Sequence, residues 1–101
     1  MSVKITQQQG QIVIEGELNM QTVPEASKQL AEIMARQDDG SLVFDLAGVS
    51  RSDSAGVALL VEAMQMAKTQ ARELSFSHLP QQMKAIASVS GLLDILPISG
   101  N

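Results

Sequence analysis

The chain has 101 residues, of which 45% are hydrophobic, enough for one modest core and too few for two, so a single domain over residues 1–101 is expected. Seven Lys and Arg against eleven Asp and Glu give a formal charge of −4, which offers no field to hold nucleic acid or an anionic lipid surface. The absence of Cys excludes a disulfide framework or a thiolate metal site, and two Phe with no Trp or Tyr leave few platforms for stacking bases or sugars.

In chain order, Val3 and Ile5 alternate with polar neighbours. Beyond a turn signal at Gly10, the run QIVIEGEL puts Ile12, Ile14, Gly16 and Leu18 on one face and Val13, Glu15 and Glu17 on the other, which predicts a two-stranded hairpin. Thr22, with Pro24 in the first turn and Glu25 three residues on, reads as a capping box. Ala26, Leu30, Ile33 and Met34 then recur at helical spacing to about Arg36. Residues 37–41, QDDGS, form a turn in which Asp38 and Asp39 are charged turn residues and not metal ligands. LVFDL, residues 42–46, is a short apolar run expected of a central strand covered on both faces.

A loop, AGVSRSD, should lead to a second helix over residues 54–72, with Val57, Leu60, Met64, Ala67 and Ala71 facing inward and Leu59, Val61, Ala63 and Met66 widening the apolar arc. That arc is wider than one sheet face should cover, so part of it is expected to meet a partner. Leu74, Phe76 and His78 alternate as a strand. Pro80 opens a third helix with Met83, Ile86 and Ala87 inward and Gly91 ending it. LLDILPI closes the chain as an apolar stretch that either packs on the core or joins an interface. The order strand, strand, helix, strand, helix, strand, helix predicts an α/β domain with a mixed four-stranded sheet and three to four helices.

Catalytic patterns are absent. His78 is the sole histidine, there is no G-x-S-x-G elbow, and no glycine-rich phosphate cradle occurs, so neither an enzyme nor a cofactor or metal site is expected. No apolar run approaches the length of a membrane span, and the amino-terminal residues lack a signal-peptide pattern, so a soluble cytoplasmic chain is expected.

The informative stretch is SRSDSAGVALLV, residues 50–61. Ser54 reads as the N-cap of the second helix, with Asp53 at the favourable end of its dipole and Ala55 and Gly56 small enough to let the first turn approach a strand. The same geometry exposes the hydroxyl beside unpaired backbone N–H groups, where a phosphate would be accommodated, although Asp53 would oppose it by like-charge repulsion.

The run VFDLAGVSRSDSAGVALL, a strand, a short loop and Asp-Ser-x-Gly opening a Leu-rich helix, resembles the STAS domain family, and the similarity extends over essentially the whole chain. The resemblance implies a protein that binds partners and does not turn over substrates. In the anti-sigma factor antagonist branch, it implies phosphorylation at Ser54 by a partner serine kinase, which switches off binding to the anti-sigma factor; Ala55 departs from that branch, where a second hydroxyl residue is common. In the branch that serves as a subunit of the Gram-negative phospholipid ABC transporter, which maintains outer-membrane lipid asymmetry, the pattern is matched by Val49-Ser50-Arg51, Asp53-Ser54-Ala55-Gly56, Ala58-Leu59-Leu60 and Ala67-Lys68-Thr69-Gln70. That likeness implies a small subunit seated on the cytoplasmic ATPase, peripheral to the inner membrane through its complex, with Ser54 at the contact. The expected partner-binding set is Asp53, Ser54, Ala55, Gly56, Val57, Leu59 and Glu62.

Overall fold

A computed structural model describes residues 3–8, 10–36 and 40–99. β1 (Val3–Gln8) and β2 (Gln11–Leu18) form the predicted antiparallel hairpin, with Ile5 opposite Ile14 and Gln8 opposite Gln11. β2 then pairs in parallel with β3 (Leu42–Ser52), and β3 in parallel with β4 (Leu74–Ser77), giving the mixed sheet order β1-β2-β3-β4. α1 (Val23–Ala35), α2 (Ser54–Thr69) and α3 (Gln81–Val89) fill the connections and follow the last strand. The two parallel crossovers step the same way along the sheet, so right-handed connection puts α1 and α2 on one face, where α1 meets α2 and α2 meets α3.

Burial alternates along the strands accordingly. Leu42, Phe44 and Leu46 are buried while Val43 and Asp45 between them are half-buried, so β3 is packed under helices on one face and partly open on the other, not covered on both as its apolar run suggests. The core joins these residues to Ile12, Ile14 and Leu18 of β2, Leu30 and Met34 of α1, Leu59 and Leu60 of α2, and Met83 of α3. Each such side chain withdrawn from water contributes about 2 kcal/mol. Phe44 and Phe76, the chain's two aromatic residues, meet edge to face with ring centres 5.6 Å apart and planes at 73°.

Five local expectations are corrected. The stretch expected as a loop, residues 47–53, is strand as far as Ser52, because Glu17 pairs with Arg51 and Leu18 with Ser52 after register shifts between Val13 and Glu15 and between Gly16 and Glu17. The Thr22 capping box does not form: the Thr22 hydroxyl donates to the Glu17 carbonyl at 2.7 Å and accepts from the Asn19 N–H at 2.9 Å, so it locks the loop before α1 and caps nothing. α2 stops at Thr69, and Ala71, expected to face inward, is exposed with a left-handed φ of 56°. His78 lies beyond β4, also left-handed at φ 57°. The wide apolar arc of α2 is largely core, because α1 and α3 flank the helix while the sheet lies beneath it, so three neighbours cover what one sheet face could not.

The closing stretch LLDILPI packs on the core through Leu96. It also lengthens the sheet beside β4, where the Phe76 N–H donates to the Pro97 carbonyl and the Ser99 N–H to the Phe76 carbonyl, each at 2.9 Å. The expected turn at residues 37–39, with Asp38 and Asp39, lies outside the described residues.

Candidate functional site

β2 and β3 run parallel, so their carboxyl ends emerge side by side, and the amino end of α2 starts directly from that rim. Such a rim is where α/β sheets present their functional groups. The Asp53 N–H donates to the Leu18 carbonyl at 3.0 Å, which continues the β2–β3 ladder by one bond before the chain turns into the helix. Asp53 then caps α2: its backbone is extended and its Oδ1 accepts from the Ala55 N–H at 2.8 Å. The cap is therefore Asp53 and not Ser54. Ser54 is the first helical residue and is exposed. With the Ala55 amide held by the Asp53 carboxylate and the Gly56 amide donating to the Asp53 carbonyl at 3.0 Å, the first turn has fewer vacant donors for an added phosphate than the serine-cap reading implies.

Gly56 sets how deep the helix sits. A Cβ placed there would overlap the Ser52 hydroxyl and stand 3.0 Å from the Leu18 Cβ, so only glycine lets the first turn rest on the ends of β2 and β3. Ser52 is itself buried and fully engaged: its N–H donates to Gln82 Oε1 at 2.8 Å and its hydroxyl to the Asp53 carbonyl at 3.0 Å. Gln82 thus ties the start of α3 to the end of β3. Around this junction Glu17, Asn19, Arg51, Asp53 and Gln82 line a polar depression of about 170 Å³.

The expected partner-binding residues divide cleanly. Asp53 and Ser54 are exposed, Ala55 and Glu62 are half-buried, and Gly56, Val57 and Leu59 are core. A partner can reach the first four; the last three shape the surface from beneath. Glu62 accepts from the Ser27 hydroxyl at 2.8 Å, a bond that holds α1 against α2. Ser54 is remote from the sole histidine. His78 Nδ1 stands 3.1 Å from Asp45 Oδ1, and Asp45 lies seven residues before Ser52 on β3, a separation of roughly 20 Å along the strand. A Ser54-His78-Asp45 triad is therefore not assembled. Among the described residues no group of three His, Asp or Glu is placed to hold a metal ion, and no helix is long and apolar enough to cross a membrane.

The family model described as "Mlab, STAS domain" matches residues 1–97. The chain belongs to the STAS domain family. An anti-sigma-B factor antagonist of Bacillus subtilis (strain 168) is 28% identical to it over 99 residues, spanning 98% of this chain and 89% of that protein. Among solved structures, the anti-sigma factor antagonist SpoIIAA in its unphosphorylated form superposes with a TM-score of 0.73 at 17% identity, over 98% of this chain and 89% of the other. An anti-sigma factor antagonist from Mycobacterium paratuberculosis gives a TM-score of 0.75 at 19% identity, over 98% and 85%. At those identities the structures show the shared STAS fold and no more.

The residues that sequence reasoning missed in this STAS domain are Asn19, Ser52 and Gln82. Asn19 had a legible signal: Asn before a helix-starting Pro is a turn former, and its Oδ1 accepts from the N–H groups of Gln21 (2.8 Å) and Thr22 (3.0 Å). Ser52 and Gln82 had none, since their bond joins residues thirty positions apart and exists only once α3 is packed.

Proposed function

We propose that this STAS domain is a non-catalytic docking module whose contact face is the amino end of α2, with the Ser54 hydroxyl at its centre. The observation that carries this reading is the contrast between an exposed Ser54 and the fixed frame under it: an Asp53 cap, a glycine-only approach at Gly56 and a buried, doubly bonded Ser52. A rigid scaffold presenting one small polar group suits recognition, because little order has to be gained on binding. The relatives named as anti-sigma factor antagonists support an anti-sigma factor as the partner, with release driven by phosphorylation of Ser54. A phosphoryl group would put about two further negative charges beside Asp53, enough to reorganise the rim.

A second partner reading rests on a different observation. The match to the family described as "Mlab, STAS domain", together with the run Val49-Ser50-Arg51-Ser52-Asp53-Ser54, supports the ATPase subunit of a phospholipid ABC transporter. Both readings use the same face, and one pair of measurements separates them. The chain is mixed with each purified candidate, the ATPase subunit and the anti-sigma factor with its kinase activity, and complex formation and intact mass are recorded. Binding of the ATPase with unchanged mass selects the transporter; binding of the anti-sigma factor and an added phosphoryl group lost in Ser54→Ala selects the antagonist. Ser54→Arg should abolish either complex while leaving the melting temperature within a few degrees, since the side chain points to water. Retained binding by Ser54→Arg in both cases sinks the docking face itself.

A further inference from the structure

Three large apolar side chains are exposed among the described residues: Met20 at 79%, Val89 at 90% and Ile95 at 58%. A single exposed apolar residue needs no explanation by itself, and neither Val89, the last residue of α3, nor Ile95, in the closing turn, adjoins a residue of the polar depression. Met20 differs from them in two respects. It sits in the loop between β2 and α1, directly after Asn19, which lines the polar depression beside Asp53. And that loop is held from both sides: Asn19 Oδ1 accepts from Gln21 and Thr22, and the Thr22 hydroxyl bridges the Asn19 N–H and the Glu17 carbonyl. The backbone that displays Met20 is thus fixed, while its unbranched thioether side chain remains adaptable.

We propose that Met20 is the apolar anchor of the docking face, and that the partner is a protein offering an apolar pocket with a basic rim to receive it. The inference rests on the docking reading above and adds the chemistry of the other surface. The pocket follows from Met20, which among the three exposed large apolar side chains of the described residues is the one that directly follows a residue of the depression, Asn19; an anchor of this kind in a desolvated pocket carries much of an interface's energy. The basic rim follows from charge. The depression that Asn19 lines, directly before Met20, carries Glu17 and Asp53 against Arg51 alone and is net negative, as is the whole chain at −4.

The test uses whichever candidate, the ATPase subunit or the anti-sigma factor, forms a complex with the wild-type chain, and titrates it with variants at 50 mM and 300 mM salt. Met20→Asp should weaken binding by at least about tenfold, Met20→Leu should stay within threefold, and Val89→Asp should leave affinity unchanged, all with unaltered melting temperatures. Binding should also weaken as salt rises. Met20→Asp binding within threefold of wild type, while Ser54→Arg abolishes the complex, overturns the anchor and leaves the docking face standing. Binding that strengthens with salt overturns the basic rim. Unimpaired binding by Ser54→Arg, or no complex with either candidate, overturns the docking reading and the anchor together.

Discussion

The two ends of α2 are built to different tolerances. At the amino end, Asp53 reaches both the Leu18 carbonyl and the Ala55 amide, Gln82 fastens Ser52, and Gly56 leaves no room for a methyl group. At the carboxyl end the helix runs out through Gln70 into Ala71, a left-handed alanine, and Arg72 folds back so that its Nε donates to the Gly40 carbonyl at 3.1 Å. There Met64, Ala67, Leu74 and Pro97 border an open groove of about 380 Å³. One end positions a hydroxyl to within the play of a close-packed turn; the other only has to reverse the chain and enter β4. The difference locates where sequence change is costly, and it agrees with placing recognition at the amino end, since a contact surface gains from rigidity and a connector does not.

The strongest challenge to this contrast is Gly56→Val. The added side chain meets the Ser52 hydroxyl and the Leu18 Cβ and forces α2 off the strand ends, an overpacking that should cost about 3 kcal/mol. A urea titration that finds the midpoint unmoved would show that the amino end has slack after all. Gly56→Ala should cost less, because better helix propensity, worth about 1 kcal/mol, offsets part of the clash, and Ser52→Gly in the same chain should recover some of the remainder by removing the atoms that obstruct the methyl group.

Next in size is the cap. Asp53→Ala removes the acceptor of the Ala55 amide and should lose about 1 kcal/mol, whereas Asp53→Asn, which retains a side-chain acceptor, should lose a few tenths. The comparison sharpens if Ser54→Ala, measured beside them, leaves stability unchanged, because a residue outside the cap contributes no capping bond. If instead Ser54→Ala costs as much as Asp53→Ala, the hydroxyl and not the carboxylate holds the first turn in solution.

Most of the fold was legible because its periodicities are local. The alternation of Ile12, Ile14 and Leu18, the helical recurrence of Ala26, Leu30, Ile33 and Met34, and the Pro80 start each declare an element within a few residues, and all seven elements appear in the predicted order. What was not legible depends on partners distant in sequence. The extension of β3 to Ser52 needs the end of β2 beside it. The choice of Asp53 over Ser54 as cap follows from that extension, since the strand delivers Asp53 in extended geometry one residue before the helix begins. Within the candidate site, exposure divides the expected residues: Asp53 and Ser54 are exposed, Ala55 and Glu62 half-buried, and Gly56, Val57 and Leu59 core. Gly56, Val57 and Leu59 are expected in the partner-binding set yet lie in the core, because spacing along α2 does not reveal that α1 and α3 close over its flanks.

The smallest prediction has the opposite sign. Ala71 holds a φ of 56° at the exit of α2, where its amide donates to the Lys68 carbonyl at 3.0 Å and the Arg72 amide to the Ala67 carbonyl at 2.9 Å. That is the position after a helix at which glycine is favoured, because an L side chain in the left-handed region crowds its own carbonyl by about 1 kcal/mol. Replacing Ala71 by Gly relieves the crowding but frees the unfolded chain, which takes back roughly half of the gain. The net expectation is a stabilisation of about 0.5 kcal/mol, small but positive, with partner binding unaltered because the substitution lies at the far end of the helix from Ser54. Paired denaturation curves would resolve the sign. A loss of stability would mean that the Ala71 methyl group packs against the border of the groove strongly enough to outweigh its backbone strain, and the carboxyl end of α2 would then be as tightly specified as the amino end.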